Sequence, residues 1–248
     1  MRRRRRARSH RHGQGCRSGC CDHRCAAGGE DRRQDRGVAT RRSGVRLVTR
    51  GWPATLREGR IGLRPIRLRD AAAWREVRKV NVDWLRPWEA TLPLGEHDAP
   101  MSFAGMVRRL RAEAREGRSL PWIITLNGSL VGQVTVGGIA RGSLLSGYIG
   151  YWIDSRVAGQ GITPTAVAMA TDHCFDALGL HRVEINIRPE NAASLRVVEK
   201  LGFRPEGQRE RYLHIDGDWR DHLTFALCRD DVPEGVLTRW RTRRSLAL

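Results

Sequence analysis

The stretch Arg156-Val157-Ala158-Gly159-Gln160-Gly161-Ile162 carries the clearest chemistry in the chain. Two glycines one residue apart let the backbone turn tightly and leave its amides open to a ligand. The stretch lies between an apolar run, Tyr148 to Ile153, and a periodic segment that opens with Thr163-Pro164. Thr163 has N-cap chemistry and Pro164 suits the first helical position, so the loop is predicted to end in a helix. Amides leaving such a loop, backed by the positive end of a helix dipole, make an anion site, and Arg156 adds a permanent charge to it. A Gly-x-Gly pair alone marks only a turn. The strand before it, the helix after it and the arginine ahead of it together point to phosphate.

The elements that must position this loop follow from periodicity. Arg60 to Arg69 alternates and is broken at Pro65, giving a first strand, and Asp70 then caps a helix to about Asn81. Pro100 to Glu116 places Phe103, Met106, Val107, Leu110 and Ala114 on one helical face, with Gly117 as a stop. Two strands, Pro121 to Leu126 and Leu130 to Val136, flank the hairpin signal Asn127-Gly128, and Gly137-Gly138 ends the second. Ser146 to Ile153 is the third strand of this group, followed by the loop and a helix to about Leu178. His173 falls on the apolar face of that helix and reads as a hydrogen-bonded core residue rather than a base. Arg182 to Ile187 alternates so that Glu184 and Asn186 face away from Val183, Ile185 and Ile187. Asn191 to Leu201 is helical and stops at Gly202, and two strands near Arg204 to Tyr212 and His222 to Cys228 meet across Gly217. The end from Asp230 to Trp240 reads as a short helix or an ordered end.

Composition bounds the rest. The net charge of +18 is uneven, because Met1 to Gly44 holds 14 arginines against Asp22, Glu30, Asp31 and Asp35. That segment has scarcely an aliphatic residue before Val38 and is predicted to be a disordered tail, leaving residues 45–248 as a single domain. It lacks the apolar core of a secretory signal, and no apolar run reaches the roughly 18 residues that span a bilayer. A basic arm for RNA or DNA is one reading of it. A metal knuckle is a second, but Cys16, Cys20, Cys21 and Cys25 lack the Cys-x2-Cys pairs of most zinc modules, so no metal is expected. Since Lys79 and Lys200 are the only lysines, the favoured reading is a GC-rich upstream stretch read in frame, with a natural start near Val45 or Val48. Cys174 and Cys228 lie in apolar patterns, as thiols do in a reducing, cytoplasmic setting.

The order β-α-α-β-β-β-α-β-α-β-β with an anion loop after the central strand resembles the Gcn5-related N-acetyltransferase superfamily. Its pyrophosphate signature is matched by Arg156-Val157-Ala158-Gly159-Gln160-Gly161. Arg188-Pro189-Glu190-Asn191-Ala192-Ala193-Ser194, with Val198-Glu199-Lys200-Leu201-Gly202-Phe203 after it, resembles the ribosomal-protein-alanine acetyltransferases of the RimJ/RimL type, as do Gly62-Leu63-Arg64-Pro65 and Leu85-Arg86-Pro87-Trp88-Glu89. The likeness covers roughly Arg60 to Cys228.

The resemblance implies an α/β acyl-CoA N-acyltransferase fold, with a central, mostly antiparallel, splayed sheet flanked by helices. It implies acetyl-CoA as co-substrate, held by Ile153, Arg156, Val157, Ala158, Gly159, Gln160, Gly161 and Ile162, with Asn191 and Ser194 along the pantetheine arm. The acceptor implied is an amine, in the first place a protein N-terminus with ribosome association, met by Trp88, Glu89 and Tyr148 in a monomer or homodimer. Ser194 is the expected proton donor to the departing thiolate. The general base is missing where the family would place it: Asn186 stands for the RimI-type Glu, Val198 for its Tyr, and Leu213 for the RimL-type Glu. Glu184, acting through a water, is the substitute. A small-amine acceptor such as an antibiotic or polyamine, or a catalytically inactive RNA-binding protein, are the alternatives.

Overall fold

The computed structural model describes residues 51–93 and 101–246. The expectations for the Arg-rich tail, its cysteines and the start near Val45 or Val48 lie outside the described residues.

The described chain is built on one eight-stranded sheet. Its strands are β1 (Leu56–Glu58), β2 (Ile61–Pro65), β3 (Leu120–Leu126), β4 (Ser129–Ala140), β5 (Ser146–Ile153), β6 (Arg182–Ile187), β7 (Arg204–Ile215) and β8 (Asp218–Cys228). They lie in the order β1-β2-β3-β4-β5-β6-β8-β7. Every neighbouring pair is antiparallel except β5 and β6, which run parallel. The helices are α1 (Ala71–Val80), α2 (Val82–Leu85), α3 (Phe103–Arg115), α4 (Ile162–Asp176), α5 (Ala192–Leu201) and α6 (Val236–Leu246).

Helices cover both faces, which is why β3 is an unbroken apolar run. Leu120, Trp122 and Ile124 pack in the larger core with α4, α5 and α6, whereas Ile123 packs with Val77 of α1 and Val107 of α3. The hairpin between β3 and β4 turns through Asn127 and Gly128, both at positive φ. His173 Nε2 donates to the Gly51 carbonyl at 2.8 Å and the ring meets Trp122 edge to face, the core role expected of it. Cys174 is fully buried, which pushes its thiol up to about 12.

Three local expectations are corrected, and the C-terminal helix is found. β4 does not stop at Gly137-Gly138 but bulges there and continues to Ala140, because the Tyr148 ring lies against both glycines in the space a side chain would fill. Asp70 stands at the start of α1 without capping it, since its carboxylate takes two Arg64 hydrogen bonds at 2.8 Å and the Arg67 amide at 2.8 Å. α4 begins at Ile162, two residues before Pro164, and its N-cap is Gly161 at φ 79° rather than Thr163. The C-terminal segment forms α6, which docks on α4 through Trp240 Nε1 donating to Thr165 Oγ1 at 2.9 Å and through Asp172 accepting from the amides of Val236 and Leu237.

Candidate functional site

The site is made by a divergence within the sheet. β5 and β6 pair only where Ser146, Gly147 and Tyr148 meet Arg182, Val183 and Glu184. Beyond that point the two strands separate, although β5 stays paired to β4 as far as Ile153 and β6 to β8 as far as Ile187. The edge of β5 from Ile149 to Ile153 therefore faces a cleft with backbone groups unused by the ladder, the arrangement that accepts an extended ligand as an added strand. The far wall of the cleft is the start of α5.

Asn191 Oδ1 accepts the Ser194 amide at 3.0 Å, so the N-cap reading of Asn191 holds, and its NH2 group remains available to a ligand. Ser194, Asn191, Ala192, Ala193 and Val197 line a cavity of about 650 Å³ together with Tyr151, Trp152 and Ile153 of β5. Trp74 and Arg78 of α1, Trp84 of α2, and Trp88 and Glu89 close it from above. These covering groups are tied down individually. Trp74 meets Trp152 edge to face at 5.1 Å, Arg78 lies over the Trp152 ring and pairs with Glu89, and Trp84 Nε1 donates to the Ile153 carbonyl at 3.1 Å. Arg188 donates to the Pro87 carbonyl at 2.7 Å and stacks over Trp88.

The loop below the cleft holds Gly159 and Gly161 at φ 80° and 79°, and an added side chain at Gly159 would meet nothing within 4 Å. The loop leads into a 15-residue helix whose N-cap is Gly161, which leaves backbone amides at the positive end of the helix dipole. Arg156, however, is not a free charge: its guanidinium grips Asp154 with contacts of 3.0, 3.0 and 2.5 Å. Burial opposes ionisation of Asp154, but hydrogen bonds from Arg156 and Asn81 outweigh it and hold the carboxyl below its ordinary range. Arg60, which donates to Gln160 Oε1 at 3.3 Å, and Arg244, whose guanidinium comes close to Gly161, are the cations beside the loop with no carboxylate partner in the described structure.

Asn81 anchors this loop to α1. Fully buried, it donates to the Val77 carbonyl at 2.8 Å and Asp154 Oδ1 at 3.0 Å while accepting the Ser155 amide at 2.9 Å. Replacing it with Ala strips a buried carboxylate and a backbone amide of a partner, and is expected to cost about 2–3 kcal/mol in a denaturant melt.

The structure separates the expected site residues. Ile153, Asn191, Ser194, Trp88 and Glu89 line the main cavity. Val157, Ala158, Gln160 and Ile162 belong to the loop or its helix start, Ile162 with a buried side chain. Tyr148 lines a second cavity of about 530 Å³ with Glu113, Ser119, Thr135 and Gly150. The two cavities share Gln133, Tyr151 and Trp152. Glu184 lies apart from the main cavity's lining, its carboxylate clamped by Arg182 at 2.9 Å and Arg209 at 3.0 Å. Two guanidiniums hold that carboxylate as an ion-pair partner, which removes the reason for casting it as a base.

Two residues were missed in the sequence. Tyr151 has a hydroxyl buried without a hydrogen-bond partner, and burial pushes it up to about 12, with the neighbouring Ser194 hydroxyl holding the rise back. The two hydroxyls are neighbours but do not reach hydrogen-bond geometry. Glu113 sits on α3, where its spacing reads as the polar face of an amphipathic helix. Its carboxylate accepts from Ser119 Oγ at 3.3 Å. Its charge also adds to the rise of the Tyr148 phenol, which is set first by burial.

Comparison with known proteins agrees with this geometry. The family model described as an acetyltransferase (GNAT) domain matches residues 60–204. The solved structure of Mycobacterium smegmatis RimJ in complex with CoA-disulfide is 44% identical, covers 78% of this chain and 96% of its own, and superposes with a TM-score of 0.73. The Escherichia coli [ribosomal protein uS5]-alanine N-acetyltransferase is 28% identical over 67% of this chain and 87% of its own length. A probable N-acetyltransferase of Bacillus subtilis, YjcK, is 40% identical over 102 residues, which span 41% of this chain and 56% of that protein. A sheet that parts between two parallel strands, a glycine loop at the foot of the gap and a family match across both place the chain in the GNAT acetyltransferase family, among proteins of the RimJ/RimL type.

Proposed function

We propose that the chain is an acetyl-CoA-dependent N-acetyltransferase that acts on the α-amine of a protein N-terminus, in the first place that of a ribosomal protein. The observation that carries this reading is the cleft between β5 and β6, with the anion loop at its foot and Ser194 on its wall. The relative from E. coli is named for alanine of ribosomal protein uS5, which supports the acceptor class. The catalytic domain extends over residues 45–248, with residues 1–44 as a tail outside it.

The residues present fit the donor. Loop amides from Gly159 to Gly161 suit the pyrophosphate, since those of Val157 and Ala158 already donate to the Asp154 and Ser155 carbonyls, the free edge of β5 suits the amide-bearing pantetheine arm, and a buried unpartnered hydroxyl waits beside Ser194. Acetyl-CoA, when bound, supplies the thioester whose acyl group moves to the amine. The protein's tasks are then to admit the amine uncharged, to meet the negative charge that develops on oxygen with a backbone amide of β5, and to supply a proton toward the departing sulfur from Ser194. A peptide α-amine with a pKa of about 8 is partly neutral near pH 7, so a strong base is not required.

The second cavity suits the acceptor, since it meets the donor cavity at Gln133, Tyr151 and Trp152 and carries the Glu113 carboxylate. Glu113→Gln is expected to raise KM for an amine acceptor about tenfold, the worth of one charge-assisted contact, while KM for acetyl-CoA stays put. Steady-state kinetics with each substrate varied in turn checks this.

The reading itself is tested by incubating the purified chain with acetyl-CoA and, separately, N-terminal peptides of ribosomal proteins, a polyamine and an aminoglycoside. Acetylated peptide with unmodified small amines supports it. Turnover of the small amines alone would replace the acceptor class, and no acetyl-CoA binding at all would leave only a basic protein of the same fold.

A further inference from the structure

The Tyr151 hydroxyl is the group the proposed chemistry leaves unused. It lies where the two cavities meet, is closed off from solvent, and makes no hydrogen bond within the described structure. A buried hydroxyl without a partner is destabilising, so a fold that keeps one there supplies it for something that arrives. Its ring is fixed by β5, a strand paired to β4 along this whole segment, so the hydroxyl has a defined aim. Its neighbour across the cleft is Ser194, held at the first turn of α5 by Asn191.

Resting on the acetyltransferase reading, we propose that Tyr151 is a positioning residue for the transfer step: its hydroxyl donates to Ser194 Oγ when the thioester is bound, which turns the Ser194 O–H toward the sulfur. A serine hydroxyl alone rotates freely and donates to any acceptor nearby. With its oxygen occupied by a donor, its proton has one remaining direction, and the chain of two hydrogen bonds strengthens the second.

The step balances. The amine nitrogen bonds to the acyl carbon, the carbon–sulfur bond breaks, and its electron pair leaves on sulfur. Sulfur takes a proton through Ser194, which is reprotonated from solvent, while the new amide gives one proton to solvent. Tyr151 keeps its own proton throughout, since burial keeps the phenol from ionising at working pH.

The test uses the CoA complex, so it needs no acceptor. Ultraviolet thiolate absorbance of bound CoA is followed against pH in the native chain, Tyr151→Phe, Ser194→Ala and the double variant. Hydrogen bonds to a thiolate lower its pKa, so bound CoA is expected to titrate lowest in the native chain and about one unit higher in each single variant. The double variant should titrate with Ser194→Ala, because Tyr151 acts through Ser194. The charged groups lining the cavity, Arg78 paired with Glu89 and Glu190 paired with Arg188, are the same in all four proteins. Turnover should show the same order, with kcat about tenfold lower in Tyr151→Phe and KM for acetyl-CoA unchanged.

A Tyr151→Phe chain that titrates with the native protein overturns the proposal. So does an equal effect of that substitution in the Ser194→Ala background, which would mean two independent groups. A melting point several degrees below native would overturn it as well, because the hydroxyl would then have a structural partner. Failure of the native chain to bind CoA would sink the acetyltransferase reading itself, an outcome distinct from the other three.

Discussion

A Gly161→Val chain is expected to lose at least about a hundredfold in affinity for acetyl-CoA, roughly 3 kcal/mol, measured by calorimetry on the folded protein. Gly161 is the N-cap of α4 at φ 79° and ψ 6°, a left-handed conformation that a β-branched residue adopts only at a cost of about 1–3 kcal/mol. A built Cβ there would stand 3.5 Å from the Trp240 ring and 3.6 Å from the Arg244 guanidinium, so the two methyls beyond it have no room without displacing α6. The loop must relax, and when it does the amides at the start of α4 stop converging on one point. Stability should fall by only a few degrees in melting temperature, because the larger core lies behind the loop. Gly159→Ala provides the contrast, since that position also has positive φ but open space around it, and it should lose binding less severely. Native affinity in a folded Gly161→Val chain would mean that the phosphates are held elsewhere, with Arg60 and Arg244 the first places to look.

Ser194→Ala is expected to lower kcat about a hundredfold with little change in KM for acetyl-CoA, the usual worth of one proton donor in acyl transfer. The fold should not notice. Ser194's contact with the α5 cap is made by its backbone amide to Asn191 Oδ1, which alanine retains. The substitution therefore isolates the hydroxyl, and a Thr variant, which restores it, should recover part of the rate. Native kcat in Ser194→Ala would confine Ser194 to its helix-start role and would take the Tyr151 proposal down with it.

Much of this site could be read from the chain alone because its parts are short and local. Ser146 to Ile153 and Arg182 to Ile187 were bounded to the residue, since each is a run of apolar and β-branched positions closed by turn residues. Gly202 as a helix stop, with φ 77°, and Asn191 as a cap obey rules that span four residues. The glycine loop and the helix after it were placed by the same local reasoning, two residues late in the helix start because Gly161, not Thr163, makes the cap.

What failed was the pairing of charged side chains. Arg156 looked like a free cation until Asp154 closed on it, and Glu184 looked like a free carboxylate until Arg182 of its own strand and Arg209 of β7 took both its oxygens. An ionisable side chain has no role until its neighbours are known, because a single guanidinium at about 3 Å decides whether it is a reagent or a structural ion. Tyr151 shows the reverse. On the chain it is an ordinary aromatic in a strand, and only the departure of β6 from β5 and the packing of α5 put its hydroxyl in a closed space beside Ser194. Glycines and caps act through their own φ and ψ and so are determined by the sequence itself. Which charges are cancelled, and which hydroxyl is left without a partner, were decided by how side chains meet in space, two residues apart for Arg156 and Asp154 and 25 apart for Arg209 and Glu184, since those energies depend on distance in space.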